Sequence, residues 1–104
     1  MTPFQIKVTD FLKKIPKGKV ATYKEMARVC GTSPRAIGRI MAGNTHPREY
    51  PCYRVVASSG ALTGYSAPGG ISKKRVLLEA DGVGFIGKRV DKRYFYTLPA
   101  TVQI

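Results

Sequence analysis

The feature that most constrains this chain is a pair of helix start signals separated by a glycine turn. Thr22 and Glu25 have the spacing of a capping box, and Gly31 ends the short helix that they begin. Pro34, a favourable first residue of a helix, then opens a second helix that continues to a stop at Gly43. Two short helices joined by a tight turn that contains glycine predict a helix-turn-helix.

The second helix has two chemically different sides. Its apolar side carries Ala36, Ile37, Ile40 and Met41, and its other side carries Arg35, Gly38, Arg39 and Ala42. Small residues let a helix approach a ligand closely, and arginines supply positive charge. The candidate DNA-contacting residues are Arg35, Gly38 and Arg39 on this basic side, together with the small residue Ala36. The alternative is a corner between two helices in which the arginines only face solvent.

The charge of the chain favours a polyanionic partner. The sequence has 18 Lys and Arg against 6 Asp and Glu, which gives a formal net charge of +12 and a pI near 10.1. A field of this size attracts nucleic acid and gives a salt-dependent binding energy that does not depend on base sequence. On charge alone, an acidic protein, an anionic membrane surface or the basic composition of an extremophile protein are alternatives.

Other features of the sequence indicate the cellular environment that we expect for the protein. No run of about 18 apolar residues is present, so no transmembrane helix is predicted, and the N-terminus lacks the layout of a secretory signal. Cys30 and Cys52 are too few for a disulfide framework, which favours a reducing, cytoplasmic environment. Cys30 ends a helix and is expected in the core. Because Cys30, His46 and Cys52 lack the spacing of metal ligands, we expect neither a metal nor another cofactor.

The rest of the chain predicts a mainly helical protein. Apolar spacing predicts a helix over residues 2–15, with Thr2 as its cap, and a last helix over residues 72–80. That last helix is expected to bury Val76, Leu77 and Leu78. Residues 52–56 favour β structure, and residues 94–98 alternate like a final strand or a tail packed on the domain.

These elements predict one domain over residues 1–104. We expect a small, mainly α domain of α/β type with a winged-helix-like helix-turn-helix and a short β-element that carries Cys52. Residues 86–104 would form its C-terminal tail, and the protein is expected to be a monomer.

The segment Pro51-Cys52-Tyr53-Arg54-Val55-Val56 is the most specific part of the sequence. It resembles the Pro-Cys-His-Arg-Val active-site motif of the O6-alkylguanine-DNA alkyltransferases. The resemblance continues in one order from about Phe4 to Phe85. It includes Ile15-Pro16-Lys17-Gly18, Tyr23, Arg35, Gly38, Gly43-Asn44, Ser59-Gly60, Gly64-Tyr65, Leu77-Leu78 and Asp81-Gly82.

The resemblance implies how the chain would act on DNA. In the family, the cysteine that matches Cys52 takes the O6-alkyl group by direct displacement and is not regenerated. The helix-turn-helix docks in the minor groove, where the arginine matching Arg35 fills the space left by the extruded nucleotide. The residue that matches Tyr23 helps to rotate that nucleotide outward.

The resemblance also implies a pocket for the extruded base. This pocket lies beside the loop that contains Tyr65 and Ser66, and backbone carbonyls at Cys52 and Val55 accept hydrogen bonds from the guanine amine. Arg54 is counted among the pocket residues. Asn44 matches an asparagine that supports the turn at the active site.

The chain departs from the family at the groups that would activate the thiol. Members of the family use a Cys-water-His-Glu relay, but here Tyr53 occupies the His position and Asp81 the Glu position. Tyrosine, with an unperturbed pKa of about 10, is a poor general base at neutral pH. Arg54 or the general positive field could favour the thiolate instead, and His46 is a less favoured substitute for the missing histidine.

The leading function is therefore DNA repair by direct reversal, with Cys52 as the alkyl acceptor and duplex DNA containing O6-alkylguanine as the partner. The alternative is an alkyltransferase-like protein, which binds and flips the lesion without transfer and passes it to nucleotide excision repair proteins. Those proteins usually replace the reactive cysteine, whereas this chain keeps it. A helix-turn-helix transcription regulator is a third reading, and it leaves the Pro51-Cys52 segment unexplained.

Overall fold

The computed structural model describes residues 2–42, 51–63 and 70–98. Within these ranges the chain forms four α-helices, four strands of two residues each and two turns of 3-10 helix. In chain order the elements are α1 (Pro3–Lys14), β1 (Ala21–Thr22), α2 (Tyr23–Cys30), α3 (Pro34–Ala42), a first 3-10 turn (Cys52–Arg54), β2 (Val55–Val56), α4 (Gly70–Ala80), β3 (Phe85–Ile86), β4 (Arg89–Val90) and a second 3-10 turn (Lys92–Tyr94). The prediction of a small, mainly helical domain is confirmed. None of the helices in these ranges is long and apolar enough to cross a membrane.

Helix α1 begins as the sequence predicts. Thr2 Oγ1 accepts a hydrogen bond from the Gln5 backbone N–H, and Gln5 Oε1 accepts one from the Thr2 N–H, which completes a capping box. Pro3 occupies the first helical position, where its missing N–H has no cost. Phe11 and Leu12 are buried on the inner face of the helix, so α1 is held by its packing as well as by its cap.

The predicted helix-turn-helix is confirmed, with one difference at its start. Thr22 Oγ1 accepts from the Glu25 backbone N–H at 2.9 Å, and Gly31, at φ 71°, ends α2 in the left-handed conformation that favours glycine. The return half of the capping box does not form. The Glu25 carboxylate instead accepts hydrogen bonds from Arg28 and, at 2.7 Å, from the Leu98 backbone N–H. Glu25 therefore ties the end of the described chain to α2.

Helices α1, α2 and α3 pack around one apolar cluster, which we call the helical core. It is formed by Val8, Phe11, Leu12, Ile15, Ala21, Met26, Ala27, Val29, Cys30, Ile37, Met41, Cys52, Val55 and Leu98. Cys30 is buried there, as predicted, and burial raises the pKa of its thiol. A second cluster of Val20, Val56, Leu78, Val83 and Val90 lies between α4 and the β3–β4 hairpin. The two strands that run between these clusters, β1 and β2, pair in parallel.

The segment 52–56 divides into two parts. The sequence predicts a β-element that carries Cys52, whereas Cys52 lies in the 3-10 turn and only Val55 and Val56 form a strand. The Arg54 N–H donates to the Pro51 carbonyl at 3.0 Å, which closes this turn. Because residues 52–54 are folded into this turn, the ladder with β1 begins at Val55, which pairs with Ala21.

Helix α4 starts two residues earlier than predicted and presents a different face to the core. Leu78 is buried as expected, but the prediction that Val76 is buried was wrong, because its side chain is 56% exposed. Lys74 takes the inner position instead and is 1% exposed. Positions 74 and 78 are one helical turn apart and share a face, whereas position 76 points to the opposite side.

The C-terminal segment packs on both clusters. The β3–β4 hairpin crosses Gly60 so closely that a Cβ there would lie 2.6 Å from the Val90 carbonyl oxygen, which requires glycine. Beyond it, Val20 and residues 94–96 exchange two backbone hydrogen bonds of 2.9 and 2.7 Å, and Leu98 is buried in the helical core. The predicted alternation of residues 94–98 thus corresponds to a tail packed on the domain through a single β-bridge.

Candidate functional site

The outer face of α3 carries positive charge and small residues, and it is exposed to solvent. Arg35 and Arg39 are exposed, whereas Ile37 on the opposite face is fully buried. Ser33 Oγ accepts from the Ala36 backbone N–H and caps the helix. A Cβ placed on Gly38 would meet no atom within 4 Å, so packing within the protein does not require a glycine there. The structure thus places the sequence-predicted arginines and the glycine on a helix face that a large polyanion can reach.

Cys52 lies behind this helix-turn-helix, in the helical core. Its side chain is 6% exposed and packs in the same cluster as Ile37 and Met41 of α3. Its carbonyl oxygen accepts the Val55 N–H and closes the 3-10 turn, and a carbonyl retains a second lone pair for another donor. Both Cys52 and Cys30 carry free thiols. A small molecule or an extruded base, rather than an intact duplex, is the size of ligand that a thiol at this depth suits.

Tyr53, Arg54 and Asp81 form a polar cluster beside Cys52. The Tyr53 hydroxyl donates to Asp81 Oδ2 at 2.7 Å and accepts from the Arg54 guanidinium at 3.1 Å. Arg54 also lies 3.4 Å from Asp81 through its Nε and donates to the Ile15 carbonyl at 2.9 Å. Burial and the hydrogen bond to Asp81 raise the pKa of Tyr53, against a smaller opposite effect of Arg54.

This cluster has a direct chemical consequence. A tyrosine that gives its proton to a carboxylate, and whose pKa is raised, does not accept a proton from a neighbouring thiol near neutral pH. Arg54, expected among the base-pocket residues, directs its guanidinium to Asp81 and to the end of α1. The cluster connects the Cys52 turn to the ends of α1 and α4. Its role is therefore to hold these three segments together.

A second polar group on the other side of the site was not predicted from the sequence. Lys74 Nζ and the Tyr23 hydroxyl both donate to the Thr63 carbonyl, at 2.8 and 3.2 Å, and Lys74 Nζ lies 5.8 Å from the centre of the Tyr23 ring. Tyr23 packs against the helical core, which contains Cys52. Burial lowers the pKa of Lys74 to about 8 and raises that of Tyr23. The only signal for Lys74 in the sequence was its one-turn spacing from Leu78.

Several predicted site residues lie outside the described residues. These are Asn44, His46, Tyr65 and Ser66. The structure brings Cys52, Tyr53, Asp81, Arg54, Val55 and Tyr23 together around one turn, and it places Arg35, Ala36, Gly38 and Arg39 on α3. In the ranges 2–42, 51–63 and 70–98, no three side chains of His, Cys, Asp or Glu are grouped as a metal site would require.

The fold and the site together define a class: a basic helix-turn-helix domain with a buried, free cysteine behind its exposed helix. Comparison with known proteins makes the class specific. The family model described as "6-O-methylguanine DNA methyltransferase, DNA binding domain" matches residues 3–83. The chain belongs to this family.

Named relatives and solved structures agree with this family. The methylated-DNA–protein-cysteine methyltransferase of Saccharolobus islandicus is 47% identical over 81 residues, which are 78% of this chain and 52% of that protein. The crystal structure of the O6-methylguanine-DNA methyltransferase of Pyrococcus kodakaraensis KOD1 has a TM-score of 0.73 and 45% identity, over 80% of this chain and 48% of that chain. The structure of S. pombe Atl1 in complex with damaged DNA containing O6-carboxymethylguanine has a TM-score of 0.78 and 29% identity, over 92% of this chain and 96% of that chain.

The extent of these matches differs in an informative way. The chain spans about half the length of the methyltransferases that it matches, but nearly the whole of S. pombe Atl1. A match over 92% of this chain has to include residues beyond Val83, where the family model ends. The packed C-terminal segment is therefore part of what this chain shares with the Atl1 structure.

Proposed function

We propose that this protein binds duplex DNA that contains O6-alkylguanine, rotates the damaged nucleotide out of the helix and transfers the alkyl group to Cys52. The observation that carries the proposal is the position of a free cysteine in the core directly behind an open, basic helix-turn-helix. Membership of the methyltransferase family and the net charge of +12 support it.

The order of events follows from where the atoms lie. O6 of guanine is inside the base stack, so a buried thiol reaches its alkyl carbon only after the nucleotide has left the duplex. Extrusion costs a few kcal/mol, and a side chain inserted from α3, such as Arg35, offsets part of this cost. The Cys52 thiolate then forms a bond to the alkyl carbon as the carbon–O6 bond breaks, and the released guanine anion takes a proton from water.

The test is a mass measurement on the protein after incubation with duplexes that carry O6-methylguanine or O6-carboxymethylguanine. We expect one added alkyl group per protein molecule, located on the peptide that contains Cys52. Cys52→Ala and an undamaged duplex serve as controls, and neither should give an adduct. A protein that binds the damaged duplex tightly and keeps its mass would contradict the transfer step.

A second function, lesion binding without transfer, has two observations in its favour. The Tyr53–Asp81–Arg54 cluster occupies the place of a proton-accepting relay, and the chain matches S. pombe Atl1 over nearly its full length. The same experiment separates the two functions, because the binder predicts a strong preference for the damaged duplex with no change in protein mass. In that case nucleotide excision repair proteins become the partners to test.

A further inference from the structure

A groove on the surface separates the β3–β4 hairpin from the first turns of α4, and we call it the hairpin groove. Its volume is about 330 Å³. It is lined by Ala61, Leu62, Ile71, Ser72, Arg75 and Lys88. Ile71 is 52% exposed although it is aliphatic. None of the lining residues belongs to the polar cluster beside Cys52, so the hairpin groove is a separate feature of the surface.

The hairpin beside this groove is held in a fixed position by contacts on two sides. On one side, Arg89 of β4 pairs with Ala61 through a β-bridge. On the other side, the Arg75 guanidinium donates to the Gly87 carbonyl at 2.9 Å and lies 4.3 Å from the centre of the Phe85 ring. The groove is therefore formed in the free protein, and a ligand does not have to order it.

Lys88 gives the hairpin groove a positive charge that no carboxylate balances. Arg75 is the other cation in its lining, and no lining residue is acidic. The carboxylate of Glu79 lies 3.3 Å from Arg75 and is paired with it. Among the residues that the structure describes, no salt bridge involves Lys88, whose side chain is exposed. The ammonium of Lys88 is therefore available to an anionic ligand.

The hairpin groove lies next to the helix-turn-helix. Leu62 lines the groove, and the carbonyl of the next residue, Thr63, accepts a hydrogen bond from the Tyr23 hydroxyl at 3.2 Å. Tyr23 is the first residue of α2, the helix that opens the helix-turn-helix. Because consecutive Cα atoms are only about 3.8 Å apart, the groove continues the surface of the helix-turn-helix beyond Tyr23.

We propose that the hairpin groove is a second contact for duplex DNA, in which Lys88 binds a backbone phosphate. The Ser72 hydroxyl is a further donor for phosphate oxygens, and the aliphatic wall of Leu62 and Ile71 packs on the adjoining deoxyribose. Such a contact positions the duplex without reading its sequence. This inference rests on the proposed function, because it needs a protein that binds DNA, but it requires neither a lesion nor alkyl transfer.

The test compares Lys88→Gln with Arg89→Gln in anisotropy titrations of an undamaged duplex at several salt concentrations. Both variants lose one positive charge from the same hairpin, but Arg89 lines a different cavity, with Ser59 and Asp91. In Lys88→Gln we expect the slope of log affinity against log salt concentration to become about 0.9 less steep, which lowers affinity about fivefold at 0.15 M salt. Arg89→Gln should keep the wild-type slope, and equal slopes in the two variants would overturn the proposal.

A second pair of variants adds a negative charge inside or outside the groove. Ile71→Glu places a carboxylate in the groove, whereas Val76→Glu places one at an exposed position of the same helix outside it. We expect Ile71→Glu to bind the duplex about fivefold more weakly than Val76→Glu, because its carboxylate neutralises Lys88 and repels the phosphate. Equal affinities of the two variants would contradict the contact. Circular dichroism checks that all four variants are folded.

The outcomes separate this inference from the proposed function. An alkyl adduct on Cys52, together with equal slopes in the two glutamine variants, would overturn the groove contact alone and leave Lys88 as a candidate contact for an acidic protein. A reduced slope in Lys88→Gln without any adduct on Cys52 would overturn alkyl transfer alone. A wild-type protein that binds neither the damaged nor the undamaged duplex would overturn both.

Discussion

At the scale of single residues, the buried Lys74 links the stability of the protein to pH. Its pKa is about 8 in the folded protein and close to the ordinary 10.5 when the chain is unfolded. Between these two values the unfolded chain binds more protons at this site, so the free energy of unfolding rises as the pH rises through this window. At pH 7 the buried ammonium instead lowers the free energy of unfolding.

We therefore expect the stability advantage of Lys74→Met over the wild type to shrink with increasing pH. The decrease between pH 7 and pH 10 should be about 2 kcal/mol, since each unit of pKa difference contributes about 1.4 kcal/mol. Urea denaturation at a series of pH values measures it, because titrations elsewhere in the protein cancel in the difference. Lys73→Met is the matched control, and a difference for Lys74→Met that is constant across this range would show that Lys74 titrates as an exposed lysine.

At the scale of secondary-structure elements, α3 contains a glycine that its stability does not need. Glycine in the middle of a helix is less stable than alanine by about 0.5–1 kcal/mol. Because a Cβ at Gly38 would meet no atom within 4 Å, alanine fits there without strain. Packing within the protein therefore does not explain why position 38 lacks a side chain. A ligand that approaches the helix closely does explain it.

Gly38→Ala should consequently change stability and DNA binding in opposite directions. We expect the free energy of unfolding to rise by about 0.5–1 kcal/mol. On the proposed function, the affinity for both damaged and undamaged duplex should fall, since the new methyl group would stand between α3 and the DNA. Thermal denaturation and fluorescence anisotropy measure the two effects. Val76→Ala, an exposed change on α4, controls for DNA binding. If Gly38→Ala binds DNA like the wild type, then this face of α3 does not contact the duplex.

The elements that could be predicted from the sequence are those fixed by local interactions. The caps at Thr2 and Thr22 and the left-handed Gly31 act within a few residues, and helices α1 to α3 accordingly begin and end close to the predicted positions. The face of α4 depended on contacts far along the chain. Lys74 is held by Thr63, and a lysine type gives no sign of burial.

In the candidate site, too, local features could be predicted from the sequence and long-range contacts could not. The motif around Cys52 predicts a reactive position and names its neighbours, because the motif is contiguous in sequence. The bonds that decide their chemistry are not contiguous: Tyr53 meets Asp81 across 28 positions, and Arg54 meets Ile15 across 39. The sequence alone therefore predicts Tyr53 in the relay position, but it does not show that the Tyr53 hydroxyl donates its hydrogen bond to Asp81.

At the scale of the whole molecule, the C-terminal segment joins the two apolar clusters. Val90 belongs to the cluster under α4, and Leu98 belongs to the helical core, where its N–H is held by Glu25 of α2. These residues follow the part matched by the family model. The segment thus braces the helix-turn-helix against the half of the protein that carries α4, and so against Lys74.

The charge of the whole molecule determines how its binding responds to salt. With a formal net charge of +12, the protein should release several condensed cations on binding, and each neutralised phosphate contributes about −0.9 to the slope of log affinity against log salt concentration. We expect a slope of about −3 or steeper for an undamaged duplex. On the proposed function, the preference for a damaged duplex should change little with salt, because rotating a base out of the duplex adds no phosphate contact. Anisotropy titrations of matched duplexes between low and physiological salt measure both quantities.

Each quantity has an outcome that would contradict the expectation. If the affinity for the undamaged duplex does not change with salt, then the basic residues do not face phosphates. If the preference for the damaged duplex disappears as salt increases, then the lesion is recognised through the backbone rather than through the base.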